Sequence, residues 1–303
     1  MTRAPASSLR QVIDEAAAVL AAAGVASARV DAELLAAHAA GTDRGRLMFA
    51  DLPPDFGIRF ADLVSARAKR IPLQHLTGTA AFGPVQVSVG PGVFIPRPET
   101  EALFEWVVRQ ALPDEPLIVD LCTGSGALAL AIATALPKAR VIAVENSADA
   151  LGYARRNLAG SGVELLDADV TAADLRPDLD GAVDLVVANP PYIPEGAALD
   201  PEVAEHDPPQ ALFGGPDGMV VIDAIVGLAQ RWLRSGGRVA VEHDDTTSEL
   251  TVAAFRRTGA VFEDAALGDA VFDDVTTHTD LTGRPRFVTA RRRPATTATA
   301  EAR

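Results

Sequence analysis

Four consecutive residues, Asn189, Pro190, Pro191 and Tyr192, combine the groups needed to hold a planar amide or amine nitrogen. The amide oxygen of Asn189 and the backbone carbonyl of Pro190 can each accept one N–H, and proline has no N–H that competes. The nitrogen lone pair is then left free to attack an electrophile. Tyr192 offers an aromatic wall, and the prolines stiffen the loop in advance. An isolated Asn-Pro pair is usually only a turn, but here it follows the apolar strand pattern DLVVA, which favours a functional site.

A glycine-rich turn lies upstream, between a predicted buried strand and a predicted helix. Glycines at such a turn permit tight turning and close approach of a ligand to the backbone. The next predicted strand ends in Glu145, about twenty residues later, where related nucleotide sites keep an acidic residue for the ribose hydroxyls. The residues predicted to bind a cofactor here are Asp120, Cys122, Thr123, Gly124, Ser125, Gly126 and Glu145.

The identity of the cofactor is indicated by what the turn lacks. A dinucleotide site prefers G-x-G-x-x-G, whose helix N-terminus receives a pyrophosphate, whereas Ala129 stands where the third glycine belongs. The turn therefore favours a cofactor without phosphate, and we predict S-adenosylmethionine. After the following strand, Asp169 is placed to accept the exocyclic N–H of an adenine, and Val170 to cover its ring; a solvated acidic turn is the alternative interpretation.

The two constellations together predict methyl transfer to nitrogen. An amide nitrogen is a poor nucleophile because its lone pair is delocalised, so an enzyme must orient it and stabilise the developing positive charge. A sulfonium methyl group is already activated, so no strong general base is needed. Asn189, Pro190 and Tyr192 are the predicted catalytic residues.

The elements that position these residues follow from the periodicity of apolar residues. Residues 1–72 are rich in Ala and Leu at helical spacing and predict a small all-helical domain used for docking, with Ser27 and Gly41 at the two ends of its second helix. Residues 73–92 predict a β-hairpin linker. Strand and helix patterns alternate over residues 93–292, which predicts an α/β fold with a doubly wound, mostly parallel sheet. Residues 293–303 predict a disordered tail.

The composition of the chain argues against several classes of binding partner. The net charge of −14 makes nucleic acid a disfavoured partner, since the summed field repels phosphates. The five histidines show no metal-ligand spacing, so we predict no metal. No apolar run reaches the roughly 18 residues of a membrane span, and no membrane partner is expected. The single cysteine, Cys122, allows no intrachain disulfide and suits a reducing cytoplasm.

Six motifs in one order give the chain a family resemblance: PLQHLTG, VFIPRPETE, DLCTGSG, NPPYIP, ALFGGPDG and DLTGRPRF. The combination resembles the HemK/PrmC family of protein-(glutamine-N5) methyltransferases, from about residue 8 to residue 292. The resemblance implies a Rossmann-like class I methyltransferase domain. It also implies that the substrate is the glutamine of the Gly-Gly-Gln motif in class 1 peptide chain release factors.

By the same resemblance, residues 189–192 would grip that glutamine, and residues 122–126, Glu145 and Asn189 would contact the cofactor. The segment from Ile95 to Glu101 borders the active site in the family, so Phe94 and Arg97 are candidate contacts for the peptide or the cofactor. An N-terminal helix cap explains this segment equally well, because proline and acidic residues suit a first turn.

Two departures from the family pattern and two rival functions remain. Glu145 stands where relatives commonly carry Asp, and VEHDDTTSEL replaces the usual Glu-Ile-Gly after a late strand, which we interpret as an altered loop. A nucleic-acid methyltransferase acting on an exocyclic base amine would satisfy the same Asn-Pro-Pro-Tyr acceptors. A non-catalytic module that binds S-adenosylmethionine is the second rival, against which the intact Asn-Pro-Pro-Tyr sequence argues.

Overall fold

The computed structural model describes residues 8–172, 174–257, 271–280 and 282–294. The chain divides into two compact units. The first, the helical unit, comprises Met1–Thr79, Val89–Pro91 and Leu199–His206. The second, the sheet unit, comprises Ala80–Ser88, Gly92–Ala198 and Asp207–Arg303.

The helical unit has its own apolar core, which explains why an Ala-rich sequence folds there. Ile13, Leu20, Leu35 and Phe60 are almost fully buried and pack in one cluster. The helices of the unit are α1 (Leu9–Ala22), α2 (Ala28–Ala40), α3 (Phe56–Ala68), α4 (Leu73–Thr77) and α8 (Pro201–His206).

Both predicted ends of α2 are confirmed, since the helix spans Ala28–Ala40 with Ser27 before it and Gly41 after it. Gly41 ends the helix in the left-handed conformation, with φ +68°, as a glycine after a helix typically does. Ser27 makes no side-chain cap, because its hydroxyl donates to Asp31 Oδ1 at 2.7 Å. The Ser27 hydroxyl therefore serves the Asp31 carboxylate and not the helix backbone.

Asp31 belongs to a buried ion cluster that joins two distant parts of the sequence within the helical unit. Arg67 Nε donates to Asp31 Oδ2 at 2.7 Å, and Arg67 Nη1 donates to Glu202 Oε2 at 2.9 Å. The side chains of Arg67 and Asp31 are 7% and 5% exposed. Both carboxylates are needed because a buried guanidinium without partners is strongly destabilising. The cluster attaches α8, which follows the Asn-Pro-Pro-Tyr sequence, to α2 and α3.

The linker predicted as a β-hairpin over residues 73–92 is shorter than expected. Residues Leu73–Thr77 form α4, since Pro72 is well suited to begin a helix and Gly78 ends it at φ +74°. The hairpin itself is β1 (Thr79–Phe82) paired with β2 (Val85–Ser88). The first part of the linker prediction is therefore wrong.

The sheet unit contains a seven-stranded sheet with the order β5-β4-β3-β6-β7-β9-β8. The first five of these strands run parallel, and β9 is antiparallel to both β7 and β8. The strands are β3 (Leu117–Leu121), β4 (Arg140–Glu145), β5 (Glu164–Asp167), β6 (Val183–Ala188), β7 (Leu233–Glu242), β8 (Phe272–Thr279) and β9 (Pro285–Arg292).

Helices connect and cover the strands of this sheet. Every residue of β6 is buried, which requires cover on both faces. The helices are α5 (Glu101–Val108), α6 (Ala127–Ala135), α7 (Ala148–Asn157), α9 (Val220–Trp232) and α10 (Ser248–Arg257). The predicted doubly wound, mostly parallel sheet is confirmed. Of the tail predicted over residues 293–303, only Arg293 and Pro294 lie among the described residues.

Candidate active site

The pairing register of four adjacent strands places the predicted site residues in one row. Leu121 of β3 pairs with Val144 of β4 and with Ala188 of β6, and Ala188 pairs with Val241 of β7. The residue after each of these lies at the carboxyl edge of the sheet, where parallel α/β folds bind ligands. Those residues are Glu145, Cys122, Asn189 and Glu242, which we call the edge row.

The glycine turn after β3 has the backbone that its composition predicts. The backbone φ angles of Cys122, Gly124 and Gly126 are 59°, 57° and 82°. Residues other than glycine rarely adopt this left-handed region. A Cβ on Gly124 would meet no atom within 4 Å, so the backbone there is open to a ligand. Burial raises the pKa of the Cys122 thiol well above its usual value, so the sulfur stays protonated at neutral pH.

Gly126 has a different role from Gly124. A Cβ on Gly126 would lie 3.0 Å from Cγ of Leu158, so glycine allows α6 to begin close to the end of α7. We expect Gly126→Ala to lower the free energy of unfolding by about 1–2 kcal/mol, from strain at positive φ plus this close contact. Urea denaturation measures the change, and Gly160→Ala serves as the control, since Gly160 also has positive φ but an open surrounding. An equal loss in both variants would contradict a packing role for Gly126.

Glu145 ties the glycine turn to β4. Its Oε2 accepts the Gly124 N–H at 2.8 Å, and its Oε1 accepts the backbone N–H groups of Asn146 at 3.0 Å and Ser147 at 2.8 Å. A carboxylate offers about four acceptor sites, so roughly one remains for a ribose hydroxyl. Binding both hydroxyls, as the sequence predicts, therefore requires the Gly124 contact to be shared or released.

Asp120 is the fully buried base of the turn. Its Oδ2 accepts the Thr123 hydroxyl at 2.5 Å, and burial raises the pKa of Asp120 to about 7. Ser125, which is also buried, presents its carbonyl to Asn157 Nδ2 at 2.8 Å. These contacts fix the turn from below, so Asp120, Thr123 and Ser125 shape the loop that a cofactor would approach.

The predicted adenine contacts have different surroundings. Asp169 is exposed, and its Oδ1 accepts the Thr171 N–H and hydroxyl at 2.8 and 2.7 Å, which holds its pKa below the usual range. The Asn146 side chain also hydrogen-bonds to this carboxylate. Val170 is 7% exposed and packs in the core of the sheet unit. Contact of these two residues with adenine stays a prediction.

Asn189 is oriented by a residue that the sequence analysis did not select. Its Nδ2 donates to the Thr100 hydroxyl at 3.1 Å, and Thr100 is 4% exposed. Because the amide nitrogen is engaged by Thr100, the amide oxygen remains as the acceptor that the proposed chemistry requires. Thr100 lies in the Ile95–Glu101 segment, so this segment supports the site as well as beginning α5.

Tyr192 leads to a second residue missed at the sequence level. Its hydroxyl donates to Glu242 Oε1 at 3.3 Å, and Glu242 is 1% exposed. Burial raises the pKa of Glu242 to about 7 and the pKa of Tyr192 well above its usual value. A signal was available, since β7 ends in an acidic residue after an apolar run, as β4 does with RVIAVE.

The segment ALFGGPDG braces the Asn-Pro-Pro-Tyr loop from behind. Ile193 N–H donates to the Leu212 carbonyl at 2.9 Å, and Gly214 N–H donates to the Ile193 carbonyl at 3.0 Å. A Cβ on Gly214 would lie 2.5 Å from the Pro191 carbonyl oxygen, and one on Gly218 would lie 2.2 Å from that of Tyr192. Only glycine permits this backbone approach, so the segment fixes where the loop lies.

The two predicted peptide contacts lie together. The guanidinium of Arg97 stacks 4.9 Å from the ring centre of Phe94 and donates through Nη2 to Asp207 Oδ2. Both Phe94 and Arg97 are partly exposed. Their contact with a peptide or a cofactor stays a prediction, which the cation–π pair supports by presenting a flat, polar-edged surface.

The sequence was compared with known proteins. The family description "PrmC N-terminal domain" matches residues 11–78, and "Methyltransferase small domain" matches residues 98–206. A release factor glutamine methyltransferase of Mycolicibacterium smegmatis is 68% identical over 94% of this chain and 98% of its own length. That of Mycobacterium tuberculosis is 61% identical over 94% of this chain and 91% of its own length. The chain belongs to the release factor glutamine methyltransferase family.

Another relative is named for a different activity. A 4-amino-L-phenylalanine/4-methylamino-L-phenylalanine methyltransferase of Streptomyces pristinaespiralis is 42% identical over 84% of this chain and 90% of its own length. Its name describes methylation of an aromatic amine, which is also a planar nitrogen. Family membership therefore shows a methyltransferase, and the substrate needs an argument of its own.

The cofactor of this methyltransferase family is S-adenosylmethionine. The residues of the edge row fit it, since the glycine turn is open at Gly124 and Glu145 lies beside it with acceptor capacity remaining. Among the described residues no group of three His, Cys, Asp or Glu side chains could hold a metal ion. Within the same ranges no helix is long and apolar enough to cross a membrane.

Proposed function

We propose that the protein methylates the side-chain amide nitrogen of the glutamine in the Gly-Gly-Gln motif of class 1 peptide chain release factors. The orientation of Asn189 is the observation that carries this conclusion. With its Nδ2 donating to Thr100, Asn189 offers an oxygen acceptor and so suits a substrate that brings N–H donors. The names of the relatives that are 58–68% identical to this chain specify a release factor glutamine.

Each residue of the site has a proposed role in methyl transfer. The turn at residues 122–126 and Glu145 would hold S-adenosylmethionine, which supplies an electrophilic methyl group on a sulfonium. Asn189 Oδ1 and the Pro190 carbonyl each accept one N–H of the amide, which turns its lone pair toward the methyl group. The same two acceptors stabilise the positive charge that develops on nitrogen. Tyr192 limits movement of the planar group. The proton can leave to water after transfer, and no described residue is assigned to remove it.

The test uses the purified protein, S-adenosylmethionine and a release factor, with tandem mass spectrometry to locate any added methyl group. We expect one methyl group on the glutamine of the Gly-Gly-Gln motif. A release factor in which this glutamine is replaced by leucine is the matched control and should gain none. No methyl group on the wild-type motif would overturn the proposal.

Two other planar nitrogens belong in the same assay. 4-Amino-L-phenylalanine tests the activity named for the Streptomyces pristinaespiralis relative, and a DNA duplex tests an exocyclic base amine. We expect neither to be methylated at a rate comparable with the release factor. The net charge of −14 argues against the duplex. Because release factors act on ribosomes, the proposed site of action is the cytoplasm.

The helical unit is proposed to dock the release factor. Its exposed apolar side chains include Phe49, which is 89% exposed, and Ile58, which is 72% exposed, with Met48 and Leu52 at 45% and 41%. Four large apolar side chains exposed within eleven residues are characteristic of a protein-binding surface.

A double substitution, Phe49→Ser with Ile58→Ser, is expected to raise the KM for the release factor about tenfold and leave kcat within about twofold. Initial rates at varied release factor concentration measure both constants. Val19→Ser on α1 is the control, since Val19 is 50% exposed but lies outside residues 48–58. An unchanged KM in the double variant would contradict docking at these residues.

A further inference from the structure

Thr100 and Glu242 form a buried chain of polar groups behind the Asn-Pro-Pro-Tyr loop. Thr100 Oγ1 accepts the Asn189 Nδ2–H at 3.1 Å. The Thr100 side chain is a hydrogen-bonding neighbour of the Glu242 carboxyl group. Oε1 of Glu242 accepts the Tyr192 hydroxyl at 3.3 Å, and its Oε2 is buried with no other partner among the described residues. Thr100 and Glu242 are 4% and 1% exposed, so water does not compete for these groups. The two residues come from separate elements and meet only in the fold.

The direction of these hydrogen bonds follows from counting protons. A threonine hydroxyl has one proton to donate. An ionised carboxylate can only accept, so Thr100 donates its proton to Glu242 and is left to accept from Asn189. Asn189 must then direct its NH₂ group toward Thr100 and its oxygen away from it. We call the hydrogen-bonded chain Glu242–Thr100–Asn189 the relay. If its hydrogen bonds ran in the opposite direction, Asn189 would present its NH₂ group to the substrate amide, and two donors would face each other.

We propose that Glu242 and Thr100 are positioning residues, which fix the Asn189 amide so that its oxygen faces the substrate nitrogen. This inference rests on the proposed function for the identity of that nitrogen. The edge row supports it independently of side-chain contacts, because Asn189 and Glu242 follow the paired residues Ala188 and Val241. Neither Thr100 nor Glu242 touches the reacting atoms, so both act through Asn189 and Tyr192.

The ionisation of Glu242 then sets the direction of the relay. Its pKa is raised to about 7, mainly by burial; Thr100, Arg286 and Tyr192 lower the pKa, and the neighbouring Glu99 adds a smaller increase. Above about pH 7 the carboxylate accepts from Thr100. Below it the protonated carboxyl can donate to Thr100, which frees the Thr100 proton for Asn189 and allows the unproductive amide orientation. We therefore expect kcat to rise with pH through about pH 7.

Thr100→Val tests the relay with little change in shape. We expect kcat to fall about 30-fold, while the KM for the release factor and the dissociation constant for S-adenosylmethionine stay within about threefold. Thr100→Ser restores the hydroxyl and should recover kcat to within about threefold. Thr251→Val is the matched control, because Thr251 is equally buried and hydrogen-bonded to the Thr247 carbonyl at 2.9 Å, away from the edge row.

The outcomes separate this inference from the proposed function. If the wild-type protein methylates the release factor and Thr100→Val keeps its kcat within threefold, the relay is wrong and the function stands. If Thr100→Ser is as slow as Thr100→Val, the hydroxyl is not the active feature and the relay is also wrong. If the wild-type protein does not methylate the release factor, the proposed function fails first.

Glu242→Gln gives a second measurement that a purely structural role would not produce. We expect kcat at pH 8 to fall about tenfold and the acidic limb of the pH profile near pH 7 to disappear. A raised carboxyl pKa means that ionised Glu242 destabilises the fold above pH 7, so the melting temperature of the variant at pH 8 should rise by about 3 °C. Wild-type kcat with an unchanged acidic limb would overturn the assignment of Glu242.

Discussion

Asn189→Ala is expected to lower the rate of methyl transfer by about 10³-fold or more, while S-adenosylmethionine binding stays within about threefold. In the proposed mechanism, the variant removes the oxygen that accepts a substrate N–H and that stabilises positive charge on the attacking nitrogen. Both losses act in the transition state, so they lower kcat more than they raise KM. Single-turnover rates with a release factor measure the chemical step, and isothermal titration calorimetry measures cofactor binding.

Asn189→Asp is the informative companion to this variant. An aspartate keeps an oxygen acceptor at the same place but cannot donate to Thr100, since an ionised carboxylate has no proton. We expect it to lose about 10- to 100-fold, which lies between the wild type and Asn189→Ala. Activity of Asn189→Ala within tenfold of the wild type would show that the amide oxygen is not the essential acceptor.

Gly218→Ala is expected to lower the rate of transfer by about 100-fold and the free energy of unfolding by about 3 kcal/mol. Its Cβ would lie 2.2 Å from the Tyr192 carbonyl oxygen, and its backbone has φ +79°. The Asn-Pro-Pro-Tyr loop, which we propose holds the substrate, would have to move away from ALFGGPDG to make room. A displacement of about 1 Å in a positioning loop is sufficient for a loss of this size.

Gly227→Ala is the matched control for Gly218→Ala. Gly227 lies in α9, and a Cβ there would meet no atom within 4 Å. Alanine is the better helix former, so this variant should be as stable as the wild type or more stable by about 0.5–1 kcal/mol. Thermal unfolding and initial rates are measured on both variants. Normal activity in Gly218→Ala would show that the loop does not depend on this close approach.

The sequence predicted three of the four residues of the edge row and missed only Glu242. Glycine at a turn, an acid at a strand end and Asn-Pro-Pro-Tyr after an apolar run each have a local signature, and parallel strands bring such ends to one edge. Cys122, Glu145 and Asn189 accordingly lie on adjacent strands in register. These residues lie together because their strands are parallel and adjacent. The alternation of strand and helix patterns in the sequence already implies such an arrangement.

Glu242 and Thr100 were missed because their roles exist only in the fold. The sequence around Glu242 departs from the family pattern after the acid, and that departure drew attention to Asp244 and Asp245 as an altered loop. Asp244 instead stabilises its own turn, with Oδ1 accepting the Thr246 N–H at 2.8 Å. Thr100 was hidden in a segment whose prolines and acids also explain a helix start. Long-range contacts of this kind leave no periodic signal.

The helix at Leu73–Thr77 and the placement of α8 in the helical unit were also missed, because each depends on contacts that the local sequence pattern does not show. The composition of residues 73–92 indicated strands, but capping by Pro72 and Gly78 outweighed it over five residues. No pattern in the sequence indicated that α8 belongs to the helical unit, because its attachment depends on the pairing of Arg67 with Glu202, 135 residues apart.

That attachment means the helical unit is not a self-contained cassette. A fragment ending at residue 79 would keep Arg67 and Asp31 but lose Glu202, leaving a buried guanidinium with half of its carboxylate partners. If the helical unit docks the release factor as we propose, a chimera that exchanges docking specificity between relatives must transplant residues 199–206 together with the N-terminal segment. The second transplanted segment, residues 199–206, begins only seven residues after Tyr192, whereas the N-terminal segment is distant from it in the sequence. Engineering of substrate choice and engineering of catalysis are thereby linked through the same short stretch of chain.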